Sequence, residues 1–326
     1  MKPKITGLHH DHIDGSLAVV KILPELYELS GINNLLPTMG IGEGIDELVQ
    51  FFQNPQEDIV RRFSLVTGGM QTTESIWRAT REYARTRARE GYRYVEAYFA
   101  PQYHTKFLSM RKVAREFVDS LKSAADDYDL RIFPHVCIGR ETDQATGIEI
   151  AKIALEFDGE VALNLVCDEA NNPPEKHLPA YKLTFGSKVR RDCHAGEWVH
   201  FEPRETYRRR LLDNICTAIF DLRCDGIGHA ISLADHEHLV RYVADNGIRI
   251  SGCPLSNLRC GLITSVYDLR IDYLLDEGVC YTLNPDDDFF LPPMPEVISV
   301  CDEAYQFTPE QARKLEKNVI LGAFAR

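Results

Sequence analysis

Short apolar runs alternate with amphipathic stretches along most of the chain, a pattern that predicts parallel strands separated by helices. The strand candidates lie at 8–16 (ending in a glycine turn), 94–99, 130–137, 161–166, 189–194, 226–229, 248–251 and 279–283. Helices are predicted at 73–90, 112–127, 142–157, 233–244 and from an N-cap at Thr308 to 324. Strands and helices that alternate in this way are typical of an α/β protein. We predict a single (β/α)8 TIM-type barrel that forms one domain over residues 1–326.

The segment directly after the first strand has its own helical pattern. Apolar residues recur at helical spacing in 17–30 and 43–66, and Asn54-Pro55 interrupts the second stretch. The apolar stripe of the second stretch consists of Leu48, Phe51, Phe52, Ile59, Phe63 and Leu65. A helical insertion at this point would overhang the mouth of the barrel, and we interpret it as a lid. Ordinary helices packed on the outside of the barrel are an equal alternative.

Charge and composition narrow the class of protein. The formal net charge is -12, the pI is near 5.4, and no Lys/Arg-rich stretch forms an obvious phosphate-binding face. Nucleic acid and anionic membranes are therefore poor candidate partners. The start of the chain does not resemble a secretory signal, and no run of about 18 apolar residues indicates a membrane span. Nine cysteines, an odd number without a C-x-x-C pair, favour buried reduced thiols, so we expect a cytoplasmic protein that acts on a small molecule.

Several potential metal ligands fall at the ends of predicted strands. They are His10, His12, His194, His229 and Asp286. Because side chains alternate along a strand, we expect His10 and His12 to share one face and His9 and Asp11 the other. At the carboxyl end of a barrel the five side chains would converge. Three neutral imidazoles and a carboxylate suit zinc or iron(II) and leave a position for water.

Two further histidine-containing patterns are potential functional sites. His194-Ala195-Gly196-Glu197 places a potential metal ligand beside a proton carrier, with only small residues between them. His236-Glu237-His238 is a second His-x-His, but it lies in a predicted helix, where residues two apart diverge. We therefore reject this second pair as metal ligands.

Four motifs, taken together and in order, resemble those of the adenosine deaminase family of the amidohydrolase superfamily. They are His10-Asp11-His12-Ile13-Asp14-Gly15 (H-x-H-x-D-G), His194-Ala195-Gly196-Glu197 (H-A-G-E), Gly228-His229 (G-H) and Asn284-Pro285-Asp286-Asp287 (N-x-D-D). The match runs nearly end to end and includes Tyr94-Val95-Glu96 and the segment 318–324. The resemblance implies a hydrolase that acts on a cyclic amidine C–N bond. Its reaction would convert adenosine or a related 6-aminopurine nucleoside to the 6-oxopurine and ammonia.

The resemblance also implies a role for each site residue. One zinc ion per chain, with iron(II) as the alternative, would be held by His10, His12, His194 and Asp286. Glu197 would protonate the ring nitrogen next to the amino-bearing carbon, and His229 would orient the attacking water and stabilise the charge on its oxygen. Asp287 would bind the imidazole-ring nitrogen of the purine and help to position the water. Asp14 would contact the ribose, and the backbone N–H of Cys167 would contact the purine ring.

Departures from the family pattern leave the substrate open. Where the family usually shows D-L-A-G-D-E, the chain has Asn164-Leu165-Val166-Cys167-Asp168-Glu169, so Cys167 replaces a glycine and adds a side chain beside the ring. The alternative substrates are a free base such as adenine, a modified adenosine or another aminated heterocycle. A two-metal hydrolase is disfavoured because 164–167 contains no lysine. A catalytically silent binding protein is the remaining alternative, although no catalytic residue is missing.

Overall fold

Parallel β-strands form the centre of the fold. The computed structural model describes residues 2–199 and 204–325. The strands in these ranges are β1 (Gly7–His12), β2 (Tyr94–Phe99), β3 (Arg131–Gly139), β4 (Ala162–Val166), β5 (Arg190–Arg191), β6 (His194–Ala195), β7 (Gly226–His229), β8 (Arg249–Gly252) and β9 (Tyr281–Leu283). They form a five-stranded sheet in the order β1-β2-β3-β4-β5 and a four-stranded sheet in the order β6-β7-β8-β9, and every pairing is parallel. The predicted α/β class is therefore confirmed.

Each predicted strand occurs near its expected position, but the one predicted at 189–194 is divided. Its two pieces, β5 and β6, belong to different sheets. Backbone hydrogen bonds continue across the break, because Asp192 N donates to Leu163 O at 2.8 Å and Gly228 N donates to Cys193 O at 2.9 Å. At the opposite edges, one isolated parallel bridge joins Asp11 to Asp286. The two sheets therefore contact each other on both sides.

Helices connect the strands. Those between β1 and β2 are α1 (Leu17–Val20), α2 (Leu23–Leu29), α3 (Ile45–Gln53), α4 (Ile59–Gly69) and α5 (Thr73–Arg89). The later ones are α6 (Met110–Tyr128), α7 (Gln144–Leu155), α8 (Leu178–Leu183), α9 (Arg204–Cys216), α10 (Glu237–Asp245), α11 (Pro254–Arg259), α12 (Ile271–Asp276), α13 (Met294–Tyr305) and α14 (Pro309–Leu321). Thr308 caps α14 as predicted, since Gln311 N donates to its hydroxyl at 3.2 Å. No helix in the described ranges is long and apolar enough to cross a lipid bilayer.

The insertion after β1 packs on the segment that follows β9. The stretch predicted to be helical over 43–66 is divided into α3 and α4 by the turn at Asn54-Pro55, because proline disfavours a helical conformation for the residue before it. The Phe52 and Phe63 rings lie 5.5 and 4.9 Å from the Phe289 ring, which explains part of the apolar stripe. Ile59 does not belong to the buried stripe, because 37% of its surface is exposed.

The second His-x-His pair lies outside any buried cluster, as predicted. The helix begins at Glu237 rather than at 233, so His236 precedes it instead of lying within it. Both His236 and His238 are exposed. Exposure, rather than helical geometry, is therefore the stronger argument against this pair as metal ligands.

Strand β1 contains a β-bulge. Leu8 and Asp11 are three residues apart, yet their pairing partners on β2 lie at positions 95 and 97, only two apart. One extra residue is therefore accommodated between Leu8 and Asp11, where His9 and His10 lie. The simple alternation of side chains that the sequence predicts is broken at this point.

The bulge corrects the predicted orientation of His9. The His9 ring lies 5.4 Å from the Tyr94 ring, and Tyr94 shares a face of β2 with Tyr98. The Tyr98 ring in turn lies 4.9 Å from the His10 ring. The expectation that His9 shares a face with Asp11 is wrong, because the extra residue turns His9 to the side of His10.

Asp11 points instead toward α5, where it is paired with a buried arginine. Arg87 donates to both carboxylate oxygens of Asp11, from Nε and Nη2, at 2.7 Å each. Its Nη1 also donates to Asp288 at 2.8 Å. Arg87 and Asp11 are almost fully buried. This arginine therefore ties α5 to the residues that flank both ends of the predicted metal site.

We expect Arg87→Met to lower the free energy of unfolding by about 3–5 kcal/mol, because it leaves the Asp11 carboxylate buried without its cation. Arg81→Met is the matched control: the Arg81–Asp127 pair lies at the surface, and its loss should cost less than about 1 kcal/mol. Urea unfolding monitored by circular dichroism measures both values. If both variants lower the free energy of unfolding by the same small amount, the buried Arg87–Asp11 pair is not a major source of stability.

Candidate active site

The ends of β1 and β6 and the residues after β9 bring four predicted metal ligands together. His10 Nε2 lies 3.3 Å and His12 Nε2 lies 3.5 Å from Asp286 Oδ1. His194 Nε2 lies 3.3 Å from His12 Nε2. Positions that are far apart in the sequence are thus neighbours, because the carboxyl ends of parallel strands lie on the same side of a sheet.

The protonation states of this cluster suit a metal ion. Burial lowers the pKa of His10 and His194 and lowers the pKa of His12 to about 3. Burial alone would raise the pKa of Asp286, but the neighbouring histidines outweigh it and hold this pKa below its ordinary value. The cluster therefore presents neutral imidazoles and an ionised carboxylate, the forms in which these side chains bind metals.

The hydrogen-bonding pattern also fits a metal ion. Among the described residues, neither His10 Nε2 nor His229 Nε2 makes a hydrogen bond of suitable geometry, although both atoms are buried and have carboxylate oxygens nearby. A buried polar atom without a partner is costly unless a ligand satisfies it. Three imidazole nitrogens and one carboxylate oxygen form a donor set that zinc accepts. The four residues therefore fit a single divalent ion.

Gly228 is required by the close packing of His10. A Cβ atom built on Gly228 would lie 2.8 Å from His10 Cε1. Any larger residue would push this imidazole away from Asp286. The glycine of the G-H motif therefore leaves room for a ligand on another strand, which the sequence pattern alone does not reveal.

His229 lies beside the cluster, between two carboxyl groups. Its Nε2 is 3.5 Å from Glu197 Oε2 and 3.9 Å from Asp286 Oδ2, and its Nδ1 donates to Asn257 Oδ1 at 2.8 Å. Burial alone would lower the pKa of His229, but the charges of Glu197 and Asp286 raise it overall. Asn257 thus fixes the ring while the opposite nitrogen faces the site.

The buried carboxyl group of Glu169 holds the backbone on which Glu197 lies. Glu169 accepts hydrogen bonds from the backbone N–H groups of Gly196, Glu197 and Trp198 at 2.8 to 2.9 Å, and from Asn214 at 2.8 Å. Gly196 has a φ of 69°, and a Cβ atom there would lie 2.6 Å from Ile215. Burial raises the pKa of Glu197 to about 7. The H-A-G-E segment therefore presents a carboxyl group that can hold a proton near neutral pH.

The three predicted substrate contacts lie near one another, because the carboxylates of Asp14 and Asp287 act on the Cys167 thiol and that of Asp14 acts on Asp287. Burial raises the pKa of Asp14 to about 7, and burial together with Asp286 and Asp14 raises the pKa of Asp287. Cys167 is exposed. Its φ of 75° is one that favours glycine. Cys167 therefore has a backbone conformation that glycine adopts more readily.

Cys253 lies in the site although sequence reasoning treated it as an ordinary buried thiol. Its sulfur lies within 4.8 Å of potential ligand atoms of His10, His229 and Asp286. Burial raises its pKa well above the ordinary value, so the group is a neutral thiol. A neutral thiol is a poor metal ligand. Its position directly after β8, on the same side of the sheet as the proposed ligands, is the sequence signal from which Cys253 could have been placed in the site.

A model of the family described as Adenosine deaminase matches residues 3–326. The chain belongs to the adenosine deaminase family. An adenosine deaminase of Clostridium acetobutylicum is 25% identical over 331 residues, which cover 97% of this chain and 92% of that protein. The family resemblance inferred from the four motifs is thereby confirmed.

Solved structures share the fold. An adenine deaminase from Arthrobacter aurescens superposes with a TM-score of 0.80 at 23% identity and covers 100% of this chain and 95% of its own. An amidohydrolase from Burkholderia ambifaria with bound Zn superposes with a TM-score of 0.79 at 20% identity, covering 100% of this chain and 86% of its own. At these identities the superpositions establish a common fold.

Three residues that support the candidate site of this adenosine deaminase family member were not identified from the sequence. Glu169, Asn257 and Arg140 contact site residues through long-range hydrogen bonds, and Arg140 donates to the backbone oxygen of His194. In the sequence, Glu169 is the last position of the segment 164–169, which departs from the family pattern. Its position at the end of that motif was the available signal, whereas nothing in the local pattern distinguishes Asn257 or Arg140.

We expect Glu169→Ala to lower the free energy of unfolding by about 1–3 kcal/mol, because backbone N–H groups at 196–198 lose a buried acceptor. Amide hydrogen exchange should accelerate at these positions more than elsewhere. The matched control is Glu160→Ala, which removes an exposed carboxylate paired with Lys122 at the surface. If exchange at 196–198 is the same in both variants, Glu169 does not hold this segment.

Proposed function

We propose that this chain is a zinc-dependent hydrolytic deaminase of adenosine or a related 6-aminopurine nucleoside. The observation that carries the proposal is the convergence of His10, His12, His194 and Asp286 beside Glu197 in a member of the adenosine deaminase family. The products would be the 6-oxopurine and ammonia.

The architecture proposed for this function is a single domain, residues 1–326, built as a closed eight-stranded barrel with the helical insertion after β1, α1 to α4, as a lid. Support for closure comes from the Asp11–Asp286 bridge and the hydrogen bonds across Asp192 and Cys193. Support for the lid comes from the packing of Phe52 and Phe63 on Phe289, two residues after Asp287. In this arrangement the insertion would cover the pocket.

The metal proposed for this site is zinc, held by the three histidines and Asp286. When bound, zinc lowers the pKa of a coordinated water and so supplies a nucleophile at neutral pH. Iron(II) is the alternative, because imidazole and carboxylate ligands also suit it. The Zn in the Burkholderia ambifaria amidohydrolase of the same fold supports the first choice.

The proton movements are assigned to Glu197 and His229. Water adds to the amino-bearing carbon of the ring, and the adjacent ring nitrogen receives the proton that Glu197 carries. His229 orients the attacking water and stabilises charge on its oxygen, since its Nε2 faces Glu197 and Asp286. The carbon–nitrogen bond then breaks: the amino group takes up the proton that the attacking water gave up and leaves with the bonding electrons as ammonia. The remaining hydroxyl proton returns to Glu197, and the 6-oxo product forms. General acid help is needed because addition disrupts an aromatic ring.

The substrate contacts are assigned to Asp14, Asp287 and Cys167. Asp287 Oδ1 is buried and has no hydrogen-bond partner among the described residues, so it is suited to bind a ring nitrogen. Asp14 would contact the ribose of a nucleoside. A free base such as adenine is the second candidate, favoured by the Cys167 side chain, whose sulfur lies 3.6 Å from Tyr103 Oη at the pocket wall. The adenine deaminase of the same fold is consistent with it.

Ammonia release tests the proposed function. Zinc-loaded protein would be assayed with adenosine, 2′-deoxyadenosine, adenine, and 5′- and N6-modified adenosines. Turnover of adenosine above adenine would support the nucleoside assignment, and the reverse order would support the free base. Release from none of these compounds would reject the enzyme and favour a binding protein.

Glu197→Gln is expected to keep the metal but to lower kcat by about 10²–10⁴-fold, because a neutral amide cannot deliver the proton. Steady-state ammonia release and metal content would be measured on the same preparation. Glu237→Gln is the control, since Glu237 is exposed on α10. Near-normal turnover of Glu197→Gln would remove this residue from the acid role.

Zinc binding should depend on His194 and not on Cys253. After zinc loading and dialysis we expect about one zinc per chain in the unmodified protein and in Cys253→Ser, and much less in His194→Asn. Inductively coupled plasma mass spectrometry measures the content. Loss of zinc from Cys253→Ser would place the thiol in the ligand set.

A further inference from the structure

A buried chain of hydrogen bonds leads from Glu96 to the metal-site histidine His194. Glu96 Oε2 lies 2.8 Å from His135 Nε2, and His135 Nδ1 lies 3.2 Å from Asn164 Nδ2. Asn164 Oδ1 lies 3.3 Å from His194 Nδ1. All four side chains are buried, and three of them lie on neighbouring strands, β2, β3 and β4.

The orientation of the Asn164 amide is identified from a contact that involves neither histidine. The backbone N–H of Leu165 donates to Asn164 Oδ1 at 2.7 Å. A backbone N–H is always a donor, so the atom that it contacts is the amide oxygen. The amide NH2 group therefore faces His135, and the oxygen faces His194.

This orientation determines the proton position on both rings. The Asn164 NH2 group is a donor, so His135 Nδ1 must be an acceptor without a proton. His135 then carries its proton on Nε2 and donates to Glu96. Asp192 is the other carboxylate near His135 Nδ1, but at 3.8 Å it is beyond hydrogen-bond distance. At the other end, the amide oxygen accepts from a proton on His194 Nδ1, which leaves His194 Nε2 unprotonated.

The Glu96 end of the chain is anchored. Arg249 Nη1 lies 2.7 Å from Glu96 Oε2 and Arg249 Nη2 lies 2.6 Å from Asp192 Oδ2. Burial alone would raise the pKa of Glu96, but Arg249 and His135 outweigh it and hold this pKa below its ordinary value. Glu96 is therefore an acceptor only, which agrees with a proton on His135 Nε2.

We propose that Asn164 and His135 are positioning residues that set the tautomer of His194, so that its Nε2 lone pair faces the metal site. The inference rests on the proposed function only in taking His194 as a metal ligand. Neither positioning residue contacts the metal or the substrate. Hydrogen-bond partners behind a ligating histidine fix its tautomer in metal proteins generally, and here the partner is itself oriented by a second histidine.

The chain explains why asparagine occurs where the family motif usually has aspartate. A carboxylate at position 164 could accept from His194, but it has no proton to donate to His135 Nδ1. Two acceptors would then face each other in a buried site, which is destabilising. Asn164 and His135 therefore form a matched pair with His135 neutral, whereas an aspartate at 164 would require either a proton on His135 Nδ1 or a different partner at position 135.

The first test is nitrogen-15 NMR of the histidine rings in zinc-loaded protein. Two-bond correlation spectra distinguish protonated from unprotonated ring nitrogens, and the His135→Gln spectrum identifies the His135 signals. We expect His135 to be neutral with its proton on Nε2 and His194 to carry its proton on Nδ1. A His135 that is doubly protonated, or protonated on Nδ1, would overturn the proposal.

The second test compares two His135 variants in competition with a zinc chelator. Glutamine can donate to Glu96 and accept from Asn164, so His135→Gln should keep the zinc affinity. Phenylalanine keeps the ring shape but cannot orient the amide, so His135→Phe should weaken zinc binding about 10-fold. His104→Phe is the control for loss of a buried histidine, because His104 bonds to Met70 O on another part of the fold.

Equal zinc affinities of His135→Gln and His135→Phe would overturn the positioning role. If His135→Phe does not fold, the NMR spectrum of the unmodified protein decides alone. Both readouts are independent of turnover. A protein that releases no ammonia but shows the expected tautomers and affinities would therefore reject the deaminase function and leave the positioning role intact.

Discussion

The structure depends on bringing three imidazoles and one carboxylate together in a largely buried place. Asp286 Oδ1 lies 3.3 to 3.5 Å from His10 and His12, where an unpaired carboxylate would be costly. Parallel strands meet this requirement because their carboxyl ends lie side by side, so ligands from distant segments need no long loops. The close approach leaves no room for a side chain at Gly228.

The surroundings of this cluster are polar rather than apolar. Arg249 bridges the carboxylates of Glu96 and Asp192 and lies 4.0 Å from the centre of the Phe324 ring. Phe324 N also donates to Glu96 Oε1 at 3.0 Å, so the C-terminal segment packs against the same buried charges. Buried ion pairs contribute little net stability but are damaging when one partner is lost. Their value here lies in fixing the directions of the hydrogen bonds that reach His194.

Part of the backbone strain lies where the chemistry is proposed. Cys167, His229 and Asp286 all have positive φ angles, at 75°, 64° and 66°. A left-handed conformation costs a non-glycine residue roughly 1–2 kcal/mol. Each of these residues follows or ends a strand, where the chain turns sharply to present a side chain or an N–H group to the pocket. Packing around them must offset this cost, and such strain is typical of functional sites.

The sequence by itself determined the approximate strand positions, the fold class and the residues that we propose as metal ligands, because apolar periodicity and motif spacing are local properties. Only the tertiary structure decided the inward turn of His9, the division of the strand at 192–193, and the supporting residues Glu169 and Asn257. A bulge depends on the register of two strands, and a hydrogen bond between residues 28 positions apart leaves no local pattern. The residues that we propose to carry the chemistry could therefore be predicted from the sequence, whereas the direction of each side chain depended on its neighbours in space.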